Sequence, residues 1–303
     1  MRLVVIAACL AAPSASWADC ARDLELFSST VSGSGYRVVE PGSLTENNER
    51  CQLSGLVLQE DTLLIEAGQI NWSLTGLDEL LAGAPEIVDF SVNVEGARIV
   101  PQSSDPWMNY YLDLQNRHNF IDIVAVASWS ASSGDFEIKE FSVDLPGANG
   151  FSLRSFVTGM TPESVTLSPA GLGQLTLEGV SVTLENEVFL DGLALGAFLG
   201  AFSGLPGEPR SIVDATLSDL RTTVESWPGD IFPPDSKAAL SALIAAGPIP
   251  WGRREIELSQ GVIPLDRFLA LALVAEPYSA DAVSAAWQGA TFDVVFQVAD
   301  PSD

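Results

Sequence analysis

Residues 134–158 have the sequence GDFEIKEFSVDLPGANGFSLRSFVT, the clearest example of a pattern that recurs along the chain. Phe136 and Ile138 alternate with polar residues, as in a half-buried strand, and then Lys139 and Glu140 come together before the alternation resumes. Because successive side chains of a strand point to opposite faces, one extra residue moves the second half to the wrong face unless a β-bulge absorbs it. The pattern therefore predicts a strand with a bulge near Lys139 and Glu140.

The same spacing of apolar residues occurs in residues 51–58, 85–98 and 173–184, and part of it in residues 255–265. The copies follow one another at intervals of about 35 to 50 residues, apart from the last, and such spacing is typical of repeat architectures that share one core. The strands of any antiparallel sheet look alike, and short sequence matches also arise by chance, so similarity alone does not require a repeat. The shared slip in phase favours a true repeat, and in residues 85–98 it predicts Ile87 and Phe90 on one face.

The rest of the chain suggests how these strands are connected. Short polar turns separate consecutive apolar stretches, including residues 107–115, which we predict to be a strand, and this favours antiparallel pairing in sequence order. Beyond residues 204–209 the apolar period lengthens to nearly four, which predicts helices over 211–227, 236–246 and 279–288. We therefore predict a mainly β (α+β) fold: a curved antiparallel meander sheet built from irregular repeats, with several short helices mostly toward the C-terminus.

Residues 1–18 have the features of a secretory signal peptide. Arg2 provides the positive start, residues 3–12 the apolar region, and Ser16 and Ala18 the small residues before a cleavage site. We predict a cleaved signal, a periplasmic location and one repetitive β-rich domain over residues 19–303, with a subdivision near 204–209 as an alternative. Lipidation at Cys9 stays open, because residues 6–9 match the lipoprotein pattern by letter.

Removing the signal leaves Cys20 and Cys51 of the three cysteines. An isolated pair in an oxidising compartment is expected to form a disulfide. Two cysteines without a nearby histidine are too few for a zinc site, which needs three or four ligands. The sequence thus predicts a Cys20–Cys51 disulfide and no metal site.

The chain is strongly acidic, with 40 Asp and Glu against 14 Lys and Arg and a formal net charge of −26. Nucleic acids and anionic lipid headgroups both require a basic face, so the charge argues against these partners. Hydrophobic residues make up 47% of the chain, far more than a disordered acidic chain contains. The charge is therefore best explained by solubility or by a salty habitat.

Residues with catalytic or cofactor-binding chemistry do not form a recognisable motif. The single histidine, His118, lies in a polar turn, and the chain has two lysines, no G-x-S-x-G and no G-x-x-x-x-G-K. Carboxylate pairs are unavoidable among 40 acidic residues, and tryptophans are more often core residues than platforms for sugars. We predict a protein that is not an enzyme, without catalytic, metal or cofactor residues.

Residues 129–145, WSASSGDFEIKEFSVDL, fit a repeated unit of W-x-x-x-x-G-x-Φ-x-Φ-x-x-Φ-S-V-x-Φ, where Φ is apolar. With the signal peptide, this unit resembles alphaproteobacterial periplasmic proteins of unknown function, and it is distantly similar to the repetitive β regions of AsmA-like envelope proteins. The resemblance covers about residues 51–202 and implies a curved antiparallel sheet and a role in lipid handling or envelope maintenance. The chain lacks the membrane anchor and the length of AsmA-like proteins, which argues against bridge-like lipid transport.

These observations lead to three hypotheses. The first is an exported, non-catalytic periplasmic protein that binds an apolar ligand or a lipid, or acts as an envelope accessory factor with a protein partner. The second is an interaction module without a ligand, if the C-terminal helices fill the concave face of the sheet. The third is a secreted hydrolase that uses paired carboxylates. The residues predicted to line an apolar groove are Phe136, Ile138, Phe141, Val143, Leu145, Leu175, Leu177, Val180, Val182 and Leu184.

Overall fold

The computed structural model describes residues 20–33, 35–47, 50–60, 62–76, 87–116, 118–161, 174–186, 208–247, 252–267 and 278–298. The chain divides into two compact units, Met1–Pro146 and Gly147–Asp303. The predicted signal peptide, Cys9 and most of the predicted boundary at 204–209 lie outside the described residues, so they stay predictions.

In the residues that the structure describes, the first unit is an antiparallel sheet with two helices. Its sheet has the strand order β1-β3-β4-β5-β6-β7, with β2 paired to β3. The elements are α1 (Cys20–Gly33), β1 (Arg37–Glu40), β2 (Ser43–Asn47), β3 (Arg50–Glu60), β4 (Leu63–Thr75), β5 (Ile87–Pro101), α2 (Pro106–Asn116), β6 (Ile121–Ser130) and β7 (Asp135–Leu145).

The described part of the second unit combines four sheet strands in the order β8-β9-β10-β12, a short β11 beside β9, and three helices. Its elements are β8 (Asn149–Thr158), β9 (Thr176–Asn186), α3 (Pro209–Ser226), α4 (Pro234–Ala245), β10 (Gly252–Gln260), β11 (Ile263–Pro264), α5 (Ala280–Trp287) and β12 (Thr291–Val298). The prediction of a mainly β antiparallel meander, with short helices mostly toward the C-terminus, is confirmed, and the three predicted helices correspond to α3, α4 and α5.

The predicted bulges occur in two copies of the sequence pattern. Between β6 and β7, Val126 pairs with Glu140 and Ala127 with Ile138, so Lys139 is the extra residue. Between β8 and β9, Phe156 pairs with Gly179 and Val157 with Leu177, so Glu178 is the extra residue. Each bulge restores the apolar residues on either side of it to the same face.

The slip in the first copy, residues 51–58, is absorbed at Gly55. Leu53 and Leu56 both belong to one buried cluster although they are three positions apart. Gly55 between them has φ +75°, a conformation that side chains other than glycine rarely adopt. The same three-residue spacing occurs on β4, because Leu53 pairs with Ile70 and Leu56 pairs with Ala67.

The prediction for the second copy, residues 85–98, is wrong. β5 pairs with β6 without a shift from Ile87 to Val94, so Ile87 lies on the opposite face from Phe90, and its side chain is 58% exposed. Val88 is the residue that shares the face of Phe90. The irregularity of β5 falls later, between Val94 and Ala97. The partial copy over residues 255–265 spans β10 and β11. Because β10 pairs antiparallel with β9, which carries the preceding copy, the partial copy runs in the opposite direction and does not continue the series.

The strand predicted over residues 107–115 is also wrong, because this segment forms helix α2. The Asp105 carboxylate accepts a hydrogen bond from the Trp107 backbone N–H at 2.9 Å, and the Asp105 carbonyl accepts one from the Asn109 N–H at 3.0 Å. Pro106 opens the helix with a backbone angle that suits its first turn. The Asp-Pro pair is a helix-start signal that outweighs the local alternation of residues 111–115.

The core of the first unit lies between α1 and the neighbouring strands. Cys20 of α1 and Cys51 of β3 form the predicted disulfide, which closes a separation of 31 residues and stabilises by roughly 3 to 4 kcal/mol in the chain-entropy model. The indole N–H of Trp72 donates to the Asp23 carboxylate at 3.1 Å, and both residues are buried. Helix α1 is therefore fixed on the sheet by a covalent bond and a buried hydrogen bond.

The core of the second unit is filled by side chains from its loops, helices and strands. Ile231, Phe232, Leu258 and Phe292 are buried in one cluster, with Trp287 of α5 edge-on to Phe292 at 4.6 Å between ring centroids. The Ser236 hydroxyl of α4 donates to the Phe292 carbonyl at 2.9 Å and accepts from the Val294 N–H at 3.0 Å. Helix α4 thus satisfies backbone groups of β12 as it packs on that strand.

Candidate apolar binding face

One face of the sheet in the first unit is apolar across five strands. Cys51 pairs with Trp72, Trp72 with Val92, Val92 with Ala125, and Ala125 with Phe141. The first four of these residues are buried, whereas Phe141 on β7 is half-buried. Since directly paired residues share a face, this row follows the apolar face from β3 to β7.

Parallel rows extend the same face. Ile70, Val94, Ile123 and Val143 are paired in succession from β4 to β7, and so are Phe90, Ala127 and Ile138 from β5 to β7. We call the part of this face on the last two strands the β6–β7 face. Its members are Ile121, Ile123, Ala125, Ala127 and Trp129 of β6, and Phe136, Ile138, Phe141, Val143 and Leu145 of β7.

Burial differs between the two ends of this apolar face. The continuous buried cluster includes Phe27 of α1 and reaches Val92 on β5. On β7 all five residues of the predicted groove are half-buried, so they keep part of their surface in contact with solvent. The described helix α1 thus covers the β3 and β4 end of the face, and the β7 end is less enclosed.

The predicted groove residues of β9 belong to the second unit and are packed differently. Leu175 is buried, and Leu177 and Val180 pack against the cluster that contains Phe292. Val182 and Leu184, further along β9, are half-buried. The predicted set therefore divides into a half-buried group on β7 and a second group, in which Leu175 just before β9 is buried and the half-buried Leu177 and Val180 pack against a buried cluster.

The opposite face of β7 is polar and acidic. Glu137, Glu140 and Asp144 alternate with the apolar residues of β7 and are exposed. Lys139, at the bulge, forms an ion pair with Asp89 at 3.7 Å, with both side chains about half exposed. An apolar molecule consequently finds only one suitable face on β7, whereas the other face of β6 also carries Val124 and Val126.

His118 is exposed in the turn after α2. Within the described ranges, no group of three or more His, Cys, Asp or Glu side chains is placed to hold a metal ion. Burial lowers the pKa of the Arg254 guanidinium on β10. The pKa of Arg98 is raised by the hydrogen bond from Arg98 to Glu66 and by the charges of Glu66 and Asp113.

A second apolar surface lies on α2, and sequence reasoning missed it because the segment was predicted to be a strand. Trp107, Met108, Tyr110 and Leu114 are exposed on this helix, and Phe120 is exposed just after it. The sequence signal that could have identified the surface is the Asp105-Pro106 helix start followed by apolar residues at positions 107, 110 and 114.

No helix in the described part of the chain is long and apolar enough to cross a membrane. The chain matches no protein-family model, and comparison with curated proteins finds no significant match.

Proposed function

We propose that the chain is an exported, non-catalytic protein that binds an apolar ligand, such as a lipid acyl chain, on the β6–β7 face. The observation that carries the proposal is the contrast in burial along one continuous apolar face. The face is sealed by α1 at β3 and β4, and it is half-buried at β7. Apolar surface left partly in water is stabilised by covering it with an apolar molecule.

The chemistry of the β6–β7 face favours an apolar ligand over a polar one. The members of this face are aliphatic or aromatic, and none carries a side-chain charge. The buried Trp129 pairs across the strands with the half-buried Phe136, so Phe136 is the aromatic residue that a ligand can reach at the end of the face near the turn at residues 131–134. Each buried methylene of a ligand contributes about 0.8 kcal/mol, so an acyl chain gains affinity without any specific polar contact.

Export is supported by the disulfide and by the N-terminal sequence. The Cys20–Cys51 bond joins α1 to β3, and such bonds persist in oxidising compartments such as the periplasm. The predicted signal at residues 1–18 leads to the same compartment. A periplasmic location and an accessory role in the envelope therefore form part of this proposal.

A second candidate, an interaction module without a ligand, is favoured by the packing of the second unit. There, Leu177 and Val180 pack against the buried cluster to which Phe232 and Val283 also belong. The half-buried residues of β9 and β10 in that unit are thus next to a filled core. Any ligand site is for this reason assigned to the first unit alone.

Binding of the neutral fluorophore Nile red tests the proposal. Ile138 on β7 and Val126 on β6 are both half-buried aliphatic residues, and they lie on opposite faces of the sheet. We expect the unmodified protein to bind the dye and Ile138→Asn to weaken binding by about tenfold, because an amide on the apolar face is desolvated by the dye. Val126→Asn should leave binding unchanged. Absence of binding, or equal losses in both variants, contradicts the assignment.

A further inference from the structure

Helix α2 presents an apolar surface to solvent, which we call the α2 aromatic surface. It consists of Trp107, Met108, Tyr110 and Leu114 on the helix and Phe120 in the following loop. Their exposed fractions are 81%, 47%, 58%, 39% and 49%. Trp107, Tyr110 and Leu114 are three and four positions apart, so they project from the same side of the helix.

Polar contacts beside this surface hold α2 against the sheet. Asp113 forms an ion pair with Arg98 of β5 at 3.1 Å, and Arg98 also pairs with Glu66 of β4 at 2.6 Å. The Asn109 side chain bonds to the backbone of Ser103 in both directions, at 2.6 and 2.9 Å. These contacts fix the orientation of the helix, so the exposure of its apolar side is a built feature.

The charge of the α2 aromatic surface indicates which kind of partner surface it can contact. Its five members carry no ionisable group at neutral pH, and the carboxylate of Asp113 on the same helix is directed to Arg98. The whole chain has a formal net charge of −26. An anionic surface is repelled by that charge, and so is a second copy of the chain, whereas an uncharged surface is not.

The size of the surface separates a protein partner from a lipid layer. A specific protein interface involves about 20 to 30 residues on each side. The α2 aromatic surface has five residues, which is too few by itself. Insertion into a lipid interface has no such minimum, because each apolar side chain adds its own contribution, and Trp and Tyr rings favour the headgroup region.

We propose that the α2 aromatic surface docks the protein on a lipid layer of zero net charge. The helix lies along the layer, with Trp107 and Tyr110 at the headgroup level. The ion pair between Arg98 and Asp113 keeps the helix on the sheet. This docking is independent of the β6–β7 face, although it would place that face close to a source of apolar ligands if the proposed function holds.

Vesicle flotation tests the docking. The probes are vesicles of phosphatidylcholine alone and vesicles in which part of the lipid is replaced by anionic phosphatidylglycerol. We expect the unmodified protein to float with the phosphatidylcholine vesicles and to bind the anionic vesicles less, with the difference shrinking at high salt. Binding only to anionic vesicles, or to neither, overturns the proposal, and this comparison requires no variant.

Matched variants locate the contact. Tyr110→Ser combined with Trp107→Ala should weaken vesicle binding by tenfold or more, roughly the loss expected for two apolar rings. Tyr278→Ser is the control, because Tyr278 is similarly exposed at 65% but lies in the second unit. Equal binding by the double variant and the unmodified protein overturns the assignment, as does an equal loss in the control. A dimer that the double variant abolishes would assign the surface to a second copy instead.

Different results would contradict the docking proposal and the proposed function. Ile138→Asn, which removes apolar character from the β6–β7 face, should float with phosphatidylcholine vesicles as the unmodified protein does. If it loses vesicle binding while the double variant on α2 keeps it, the lipid contact belongs to the sheet and the α2 proposal is wrong.

Discussion

Arg98 joins three elements of the first unit through one side chain. It bonds to Glu66 on β4 through both Nε, at 3.0 Å, and Nη2, at 2.6 Å, while Nη1 reaches Asp113 on α2. Its side chain is 18% exposed, so solvent screens the pairs less than on an open surface. The hydrogen bond to Glu66 is the largest cause of the raised pKa of Arg98, and burial opposes it.

We expect Arg98→Met to lower the free energy of unfolding by about 1 kcal/mol, since both partner carboxylates are partly exposed and the loss is reduced by screening. Because the folded pKa of Arg98 is raised, its contribution is fully present at neutral pH and is lost only in strong alkali. Urea unfolding at pH 7 measures the change.

Arg253→Met is the matched control for this measurement. Arg253 also contacts two carboxylates, Glu185 at 3.0 Å and Glu255 at 3.6 Å, but its side chain is 51% exposed. Its loss should change the unfolding free energy by less than about 0.5 kcal/mol. Equal effects of the two substitutions would show that Arg98 does not anchor α2.

At the scale of single residues, the sequence predicts covalent chemistry better than polar contacts. The Cys20–Cys51 bond is predictable because only two of the three cysteines lie outside the predicted signal. The hydrogen bond between Trp72 and Asp23 joins residues 49 positions apart, and nothing in the local pattern of either residue indicates the other. The contacts of Arg98 are missed for the same reason.

At the scale of elements, the extra residue Lys139 decides which face the second half of β7 presents. With it, Phe141 and Val143 pair with Ala125 and Ile123 on the apolar face. Without it, the alternation places them among the acidic residues of the other face. The bulge is thus required for the β6–β7 face to be continuously apolar.

Deletion of Lys139 should therefore be strongly destabilising, by about 3 kcal/mol or more, because three half-buried apolar residues leave the apolar face. Lys139→Ala removes only the exposed ion pair with Asp89 and should cost less than about 0.5 kcal/mol. Urea unfolding of both variants measures this difference. A mild effect of the deletion would contradict the role assigned to the bulge.

The errors in predicting elements also have physical causes. The spacing of residues 85–98 equals that of residues 136–149, but in β5 Val88 rather than Ile87 shares the face of Phe90. Apolar spacing alone does not distinguish an absorbed slip from an apolar residue on the exposed face. In α2 the alternation of a few residues is a weaker signal for secondary structure than the helix start made by Asp105 and Pro106.

At the scale of the whole molecule, the mainly β fold is predictable because apolar alternation and short turns are local signals. The candidate site is only partly predictable. Burial depends on what covers a face: the apolar spacing of β7 and β9 is the same, yet the half-buried Leu177 of β9 packs against a buried cluster. The aromatic surface of α2 requires the helix to be recognised first.

We propose that the first unit keeps an apolar face for a ligand, whereas the second unit covers its own. Half-burial of Phe136, Ile138 and Phe141 supports the first part, and the packing of Leu177 and Val180 supports the second. Under the proposed function, a ligand acquired in the periplasm should remain on the β6–β7 face during gentle purification.

Native mass spectrometry of the protein purified from a bacterial periplasm without detergent tests this claim most directly. The account predicts a population with an added lipid-sized mass, reduced in Ile138→Asn and retained in Val126→Asn. A clean unliganded mass for the unmodified protein, or an adduct that both variants retain equally, would contradict it.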